Sequence, residues 1–211
     1  MHFLIVIPNN ILKGVNMNIK WSSSNPHTQL NTKNNVTYLT FDIFKEYPLI
    51  HGFSTRLGGI SKEHLSTMNL SFQRGDKKEN VMENYARISH AIGFSKEDLV
   101  FSDQQHHTNI RTVTLKDKGK GIIKPRDYED MDGLVTNVPG IPLVTFYADC
   151  VPLLFFDPVK KVIASSHSGW KGTLHRMGEV TVRRMETEFS CNPKDILVAI
   201  GPSICQSCYE V

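Results

Sequence analysis

The stretch "YADCVPLLFFDP", residues 147–158, reads as a buried β-strand interrupted by one acid and one thiol, Asp149 and Cys150, with a second strand, "VIASSHSGWKG" (162–172), close behind. Apolar side chains on both faces between Phe146 and Leu153 predict one strand lying centrally in its sheet. Upstream, "VTYLTFDIF" (36–44) alternates like a strand and "PLIHGFSTRLGGIS" (48–61) reads as a short strand and a glycine turn. "KKENVMENYARISHAIGF" (77–94) carries apolar residues at helical spacing and ends at Gly93. "DLVFSDQQHHTNIRTVTL" (98–115) reads as strands flanking a polar interruption, and "KGKGIIKPRDYEDMDG" (118–133) as a charged loop. Beyond the opening stretch come a helix in "TLHRMGEVTVRRMETEF" (173–189) and a last strand in "DILVAIGPSI" (195–204). Strands mixed with helices predict an α/β (α+β) layered sandwich with mixed sheets.

Residues 1–35, rich in asparagine, serine and threonine and without either period, are expected to be a poorly anchored segment, leaving 36–211 as a single domain. The basic excess is only three charges and scattered, which argues against a nucleic-acid partner. "HFLIVI" (2–7) is far shorter than the roughly 18 apolar residues of a membrane span and meets Pro8 and Asn9 at once. Four cysteines, Cys150, Cys191, Cys205 and Cys208, show no disulfide framework. Together these predict a cytoplasmic protein with no membrane partner.

Three residues at strand ends stand out: His106, Cys150 and His167. Two imidazoles and a thiolate are a common zinc set, with a fourth tetrahedral position left open. The alternative keeps Cys150 as a small buried apolar residue and His167 as a satisfied core histidine, and spacing alone favours it. Asp76 is expected to cap the helix that follows it. Trp170 either stacks on a ligand or packs its loop, and packing is the expectation. Cys205 and Cys208 form a lone CxxC without a second pair or a thioredoxin-like context, so packing is expected there too.

The ordered motifs "HGFSTRLGGIS" (51–61), "RGDKKENVMENYARI" (74–88), "QQHHTNI" (104–110), "DGLVTN" (132–137), "YADCVPLLFFDP", "HSGWKGT" (167–173) and "GPSICQSCYEV" (201–211) resemble the YfiH family, also called the laccase-domain or polyphenol oxidase family. The resemblance spans roughly residues 50–211. It implies a zinc-dependent purine nucleoside phosphorylase that takes adenosine, inosine and S-methyl-5'-thioadenosine with phosphate, and has adenosine deaminase side activity. It also implies one zinc per chain on His106, Cys150 and His167. Because His107 replaces the family's glycine, either His106 or His107 can face the metal, and His106 fits the flanking Gln104 and Ile110. Copper, claimed for the family in phenol oxidation, is the second choice, since electron transfer to oxygen wants more histidines than these.

Within that reading, Arg56 in "STRLGG" and Lys171 in "GWKG" are the candidate phosphate contacts, each beside glycines that let backbone amides approach an anion. Asn69, with Arg74, frames the loop before the helix and is a further candidate substrate contact. Asp149, alternating away from Cys150 in a regular strand, is expected to support a ligand histidine, with acid catalysis as its second role. Relatives run on after "CYEV", so a chain incomplete at its C-terminus is expected. The rivals are a cysteine hydrolase or deamidase with Cys150 as nucleophile and His167 as base, and a non-catalytic nucleoside-binding module. No protein partner is specified.

Overall fold

In the computed structural model, residues 2–6 and 27–210 are described. The strands are β1 (His2–Val6), β2 (Thr28–Lys33), β3 (Val36–Phe41) and β4 (Ile50–Ser54), followed by helix α1 (Lys78–Ile92). Then come β5 (Val100–Phe101), β6 (Ile110–Thr112), β7 (Gly133–Thr136), β8 (Pro142–Phe146), β9 (Val151–Asp157) and β10 (Val162–Ser168). The chain continues through α2 (Trp170–Leu174), α3 (Met177–Phe189) and β11 (Leu197–Ile200).

Two sheets face each other. The first is six-stranded, in the order β2-β3-β4-β1-β8-β5, and the second five-stranded, in the order β11-β9-β10-β7-β6. Phe53, Val100 and Leu143 from the first meet Leu134, Leu154, Phe156 and Ile163 from the second in a shared core. On the outer side of the first sheet, α1 buries Val81, Tyr85, Ile88 and Ile92 against Val36, Phe101 and Val144. On the outer side of the second, α3 buries Met177 and Met185 against Phe155, Val162 and Ala164. The order helix, sheet, sheet, helix is the layered α/β class the mixed pattern predicts.

The opening stretch departs from its sequence reading in an informative way. Phe146 and Leu153 lie on different strands in different sheets: β8 pairs with β1 and β5, whereas β9 pairs with β10 and β11. Each strand is internal to its own sheet, which explains the apolar side chains on both faces. The break between them is the crossover, where Asp149 takes a left-handed φ of 78°. An interrupted apolar run cannot be distinguished from one continuous strand by its periodicity, because both halves are buried.

Residues 28–33 also differ from expectation: all six pair with β3, and two rungs of β3 pair with β4. β1 pairs in parallel with β4 and β8. The rest of the segment expected to be poorly anchored, residues 7–26, lies outside the described residues. The expected helix appears as α1, closed by Gly93 at φ 112°, whose amide donates to Ser89 O at 2.8 Å. Asp76 sits one residue before the N-cap Lys77. It accepts from Lys77 N, from the Asn80 amide and from Ser61 Oγ, tying the helix start to the preceding loop rather than capping it directly. Among the described residues no helix is long and apolar enough to cross a membrane.

Candidate metal centre

Strands β4, β1, β8 and β5 run parallel, so their C-terminal ends share one edge of the first sheet. That edge receives Arg56 after β4, Asp149 and Cys150 after β8, and the segment leading to His106 after β5. Ligand sites in parallel sheets collect at this edge because the loops there leave adjacent strands together. The crossover then drops Cys150 at the start of β9, where Val151 is paired with Ser168 and Pro152 with His167. The β9–β10 ladder therefore sets Cys150 beside the end of β10.

The ligand atoms of His106, Cys150 and His167 all lie within 4.8 Å of one another. Cys150 Sγ is 3.9 Å from His106 Nε2, and the two imidazole rings stand edge to face with centroids 4.8 Å apart. His167 is buried at 3% exposure, while His106 is exposed. Among the described residues this is the one cluster of three or more His, Cys, Asp or Glu ligands. The thiol and two imidazoles suit a tetrahedral metal with an open fourth position, so the residues present fit such an ion.

The organiser is Asp132, which sequence reasoning missed although it opens the quoted "DGLVTN". Its buried carboxylate accepts His167 Nδ1–H at 2.8 Å, Gln105 N at 2.9 Å, and His106 N and His107 N at 3.0 Å each. Burial pushes the Asp132 carboxyl up, but the His167 ring and the Gln105 and His107 amides outweigh it and hold the carboxyl below its ordinary range. One carboxylate thus fixes the His167 tautomer, leaving Nε2 for the cluster, and wraps the chain so that His106 adopts a left-handed φ of 64°. Such a conformation costs a residue with a Cβ about 1 kcal/mol or more, and the carboxylate's bonds offset it. Gln104 locks the same segment to β8, accepting from Phe146 N at 2.7 Å and donating to Phe146 O at 2.6 Å.

Burial pushes the His167 imidazole down, yet its bonds to Asp132 and Cys150 prevail and hold it up at about 9 in the metal-free site. His106 is held below its ordinary value, first by burial and then by the neighbouring His167 charge. His107, the alternative left open by the sequence, turns away: its Nδ1 meets Asp130 Oδ1 at 2.7 Å on the surface. Gly169 is the close-approach glycine of "HSGW", because a Cβ there would stand 2.9 Å from His106 Cδ2 and 3.1 Å from Cys150 Sγ.

The other expected residues divide. Asp149 is exposed and its backbone carbonyl accepts from Ile204 N; the acid that supports a histidine is Asp132, because the left-handed turn at Asp149 breaks the strand alternation on which the expectation rested. Asn69, the further candidate substrate contact, belongs to the loop before α1. It is fully buried, and both amide hydrogens are spent on Ser71 O and Asp76 Oδ2, building the loop before α1. Arg56 stands at the C-terminal edge of the parallel strands, its Nε and Nη2 donating to Ser66 O at 2.9 and 2.6 Å. Lys171 is exposed in the first turn of α2, its Nζ 5.5 Å over the Trp170 ring. Trp170 itself is 50% exposed, contrary to the expected packing.

Known proteins are similar to this chain in sequence and in fold. Residues 50–211 match the family described as multi-copper polyphenol oxidoreductase laccase. Purine nucleoside phosphorylase YlmD of Bacillus subtilis is 37% identical over 167 residues, 77% of this chain and 59% of that protein. Adenosine deaminase RL5, from an unknown prokaryotic organism, is 31% identical over 172 residues, 81% of this chain and 65% of that protein. The crystal structure of the Bacillus licheniformis hypothetical protein YfiH superposes with a TM-score of 0.76 at 29% identity, covering 85% of this chain and 67% of that one. The chain thus spans about three fifths of the length of the YlmD relative. With the motifs, the two-sheet fold and the matched model in agreement, this chain belongs to the multi-copper polyphenol oxidoreductase laccase family, the YfiH family of its sequence motifs.

Proposed function

We propose that the protein is a zinc-dependent purine nucleoside phosphorylase that also deaminates adenosine. The observation that carries the reading is the single His106, Cys150 and His167 cluster at the C-terminal edge of the parallel strands. A lone three-ligand site among the described residues favours one metal per chain over the several coppers that phenol oxidation needs. The names of the phosphorylase and deaminase relatives support the two reactions.

Bound zinc would supply a Lewis acid with one open coordination position. The chain's own residues do the remainder. Asp132 holds the His167 ring by Nδ1 and keeps Nε2 directed at the cluster. Arg56, anchored by Ser66 O, supplies a cation on the same edge for phosphate, with Lys171 as a second cation in the first turn of α2. A polar groove of about 730 Å³, lined by Asp103, Gln105, Arg126, Asp127, Tyr128 and Glu129, adjoins the His106 segment at Gln105. Trp170 offers an exposed aromatic face for a purine. Adenosine, inosine and S-methyl-5'-thioadenosine are the proposed substrates, and the cytoplasm the proposed location.

Product analysis with adenosine and phosphate tests the reading. Adenine with ribose 1-phosphate marks phosphorolysis and inosine marks deamination. Neither product, from chain loaded with zinc, sinks the proposal and leaves a binding module. Turnover that survives removal of zinc but not Cys150→Ala would favour a cysteine hydrolase instead.

A further inference from the structure

The "CQSC" motif near the C-terminus does not pack as its sequence suggests. Cys205 and Cys208 are both exposed, Cys205 at the N-cap and Cys208 at the last position of a short 3-10 turn over Gln206–Cys208. Cys208 N donates to Cys205 O at 3.0 Å, closing a turn whose end Cα atoms lie within about 7 Å. A disulfide needs Cα atoms about 4.4 to 6.8 Å apart, so the turn requires little or no opening to be bridged. Ser207 Oγ lies 3.2 Å from Cys205 Sγ and 4.0 Å from Cys208 Sγ, so both sulfurs face one hydroxyl. The segment is moored to the sheet: Gly201 N donates to Pro152 O and Ile204 N to Asp149 O, each at 3.0 Å.

We propose that Cys205 and Cys208 are a reversible dithiol–disulfide site whose oxidant is a low-molecular-weight disulfide. Ser207, then Cys208, hydrogen-bonds the Cys205 thiol and lowers it to about 7, which puts much of it in the reactive thiolate form near neutral pH. The Cys205 thiolate attacks one sulfur of the oxidant, the oxidant's S–S bond breaks, and one thiolate leaves and takes up a proton. Cys208 then gives up its proton and attacks Cys205 Sγ, displacing the second thiolate. Two electrons pass from the protein dithiol to the oxidant, which ends as two thiols. Cys191 does not compete: burial, then Asp157, pushes its thiol up to about 12. Cys150 belongs to the His106, Cys150 and His167 cluster, of which neither Cys205 nor Cys208 is a member. The inference stands independently of the proposed activity.

The test exposes the zinc-loaded full chain to glutathione disulfide at pH 7, quenches with an alkylating agent and maps the cysteines by peptide mass. The expected product is a Cys205–Cys208 disulfide, reversed by a dithiol reductant, with Cys191 unmodified. Cys208→Ser should trap one glutathione on Cys205. Cys205→Ser should trap one on Cys208 more slowly, because Cys205, held down by the Ser207 hydroxyl, is the attacking thiol. Ser207→Ala should slow the wild-type reaction while leaving the same product. Two separate glutathione adducts on the wild-type pair, equal trapping rates in the two serine variants, or formation no faster than in the urea-unfolded chain would each overturn the proposal.

Discussion

Asp132 and His167 meet twice, through the Asp132 carboxylate and His167 Nδ1 at 2.8 Å and through His167 N and Asp132 O, also at 2.8 Å. The first contact sets the tautomer and the second sets the height of the residue on β10. Since the same carboxylate receives three amides of residues 105–107, both candidate histidine ligands depend on one buried acid.

Asp132→Asn should therefore weaken zinc binding by 10- to 100-fold, about 1.4 to 2.7 kcal/mol, with all three ligands still present. Competition against a chelator of known affinity reads it. Unchanged affinity would show that the carboxylate is dispensable for positioning.

His106→Ala should abolish stoichiometric zinc, whereas His107→Ala should leave affinity within about twofold. His107 bonds Asp130 at the surface, and exposed pairs of this kind contribute about 0 to 1 kcal/mol to stability. Metal analysis of the two variants decides between adjacent histidines, and the reverse pattern would overturn the assignment.

Gly169→Ala should reduce zinc affinity by about tenfold, roughly 1.4 kcal/mol, without touching a donor atom. At φ −71° the backbone accepts alanine, so the effect is steric: the new methyl presses on His106 and Cys150 together. Wild-type affinity in this variant would mean that the two ligands yield freely.

The metal-free chain should be most stable near pH 6.5. His167 is raised to about 9, so its contribution is complete below the unfolded histidine value of about 6.5 and is lost as pH climbs through 9, by at most about 3 kcal/mol. His51 is lowered, first by burial; buried and neutral, it accepts Phe41 N at 2.8 Å through Nε2. The unfolded chain then binds the extra proton, so stability falls as pH drops below about 6.5. Denaturation midpoints across pH 5 to 10 measure both limbs. A His167→Gln variant that retains the full alkaline decline would refute the first.

Arg56→Ala should lower phosphorolysis by about 1.5 to 3 kcal/mol of transition-state stabilisation, with deamination suffering less. Lysine at this position should rescue partly, since a point charge lacks the planar fork that also holds Ser66 O. Loss of the two activities in equal measure would make Arg56 a loop anchor only.

Periodicity and punctuation in the sequence determined most strands, the span of α1 with its Gly93 stop, and the layered α/β class. Those features are local, and neighbouring residues dictate them. The seven ordered motifs carried the family and the His106, Cys150 and His167 set, but not the reason these residues meet. Tertiary structure alone decided that the apolar run from Pro142 to Asp157 divides between two sheets, with the crossover at residues 147–150, since a run buried on both sides of a crossover looks continuous in one dimension. It also decided that His106 rather than His107 faces the cluster, and that Asp132, not Asp149, holds His167. Those outcomes depend on carboxylate bonds reaching 25 to 35 residues along the chain, and no local pattern encodes a partner at that separation.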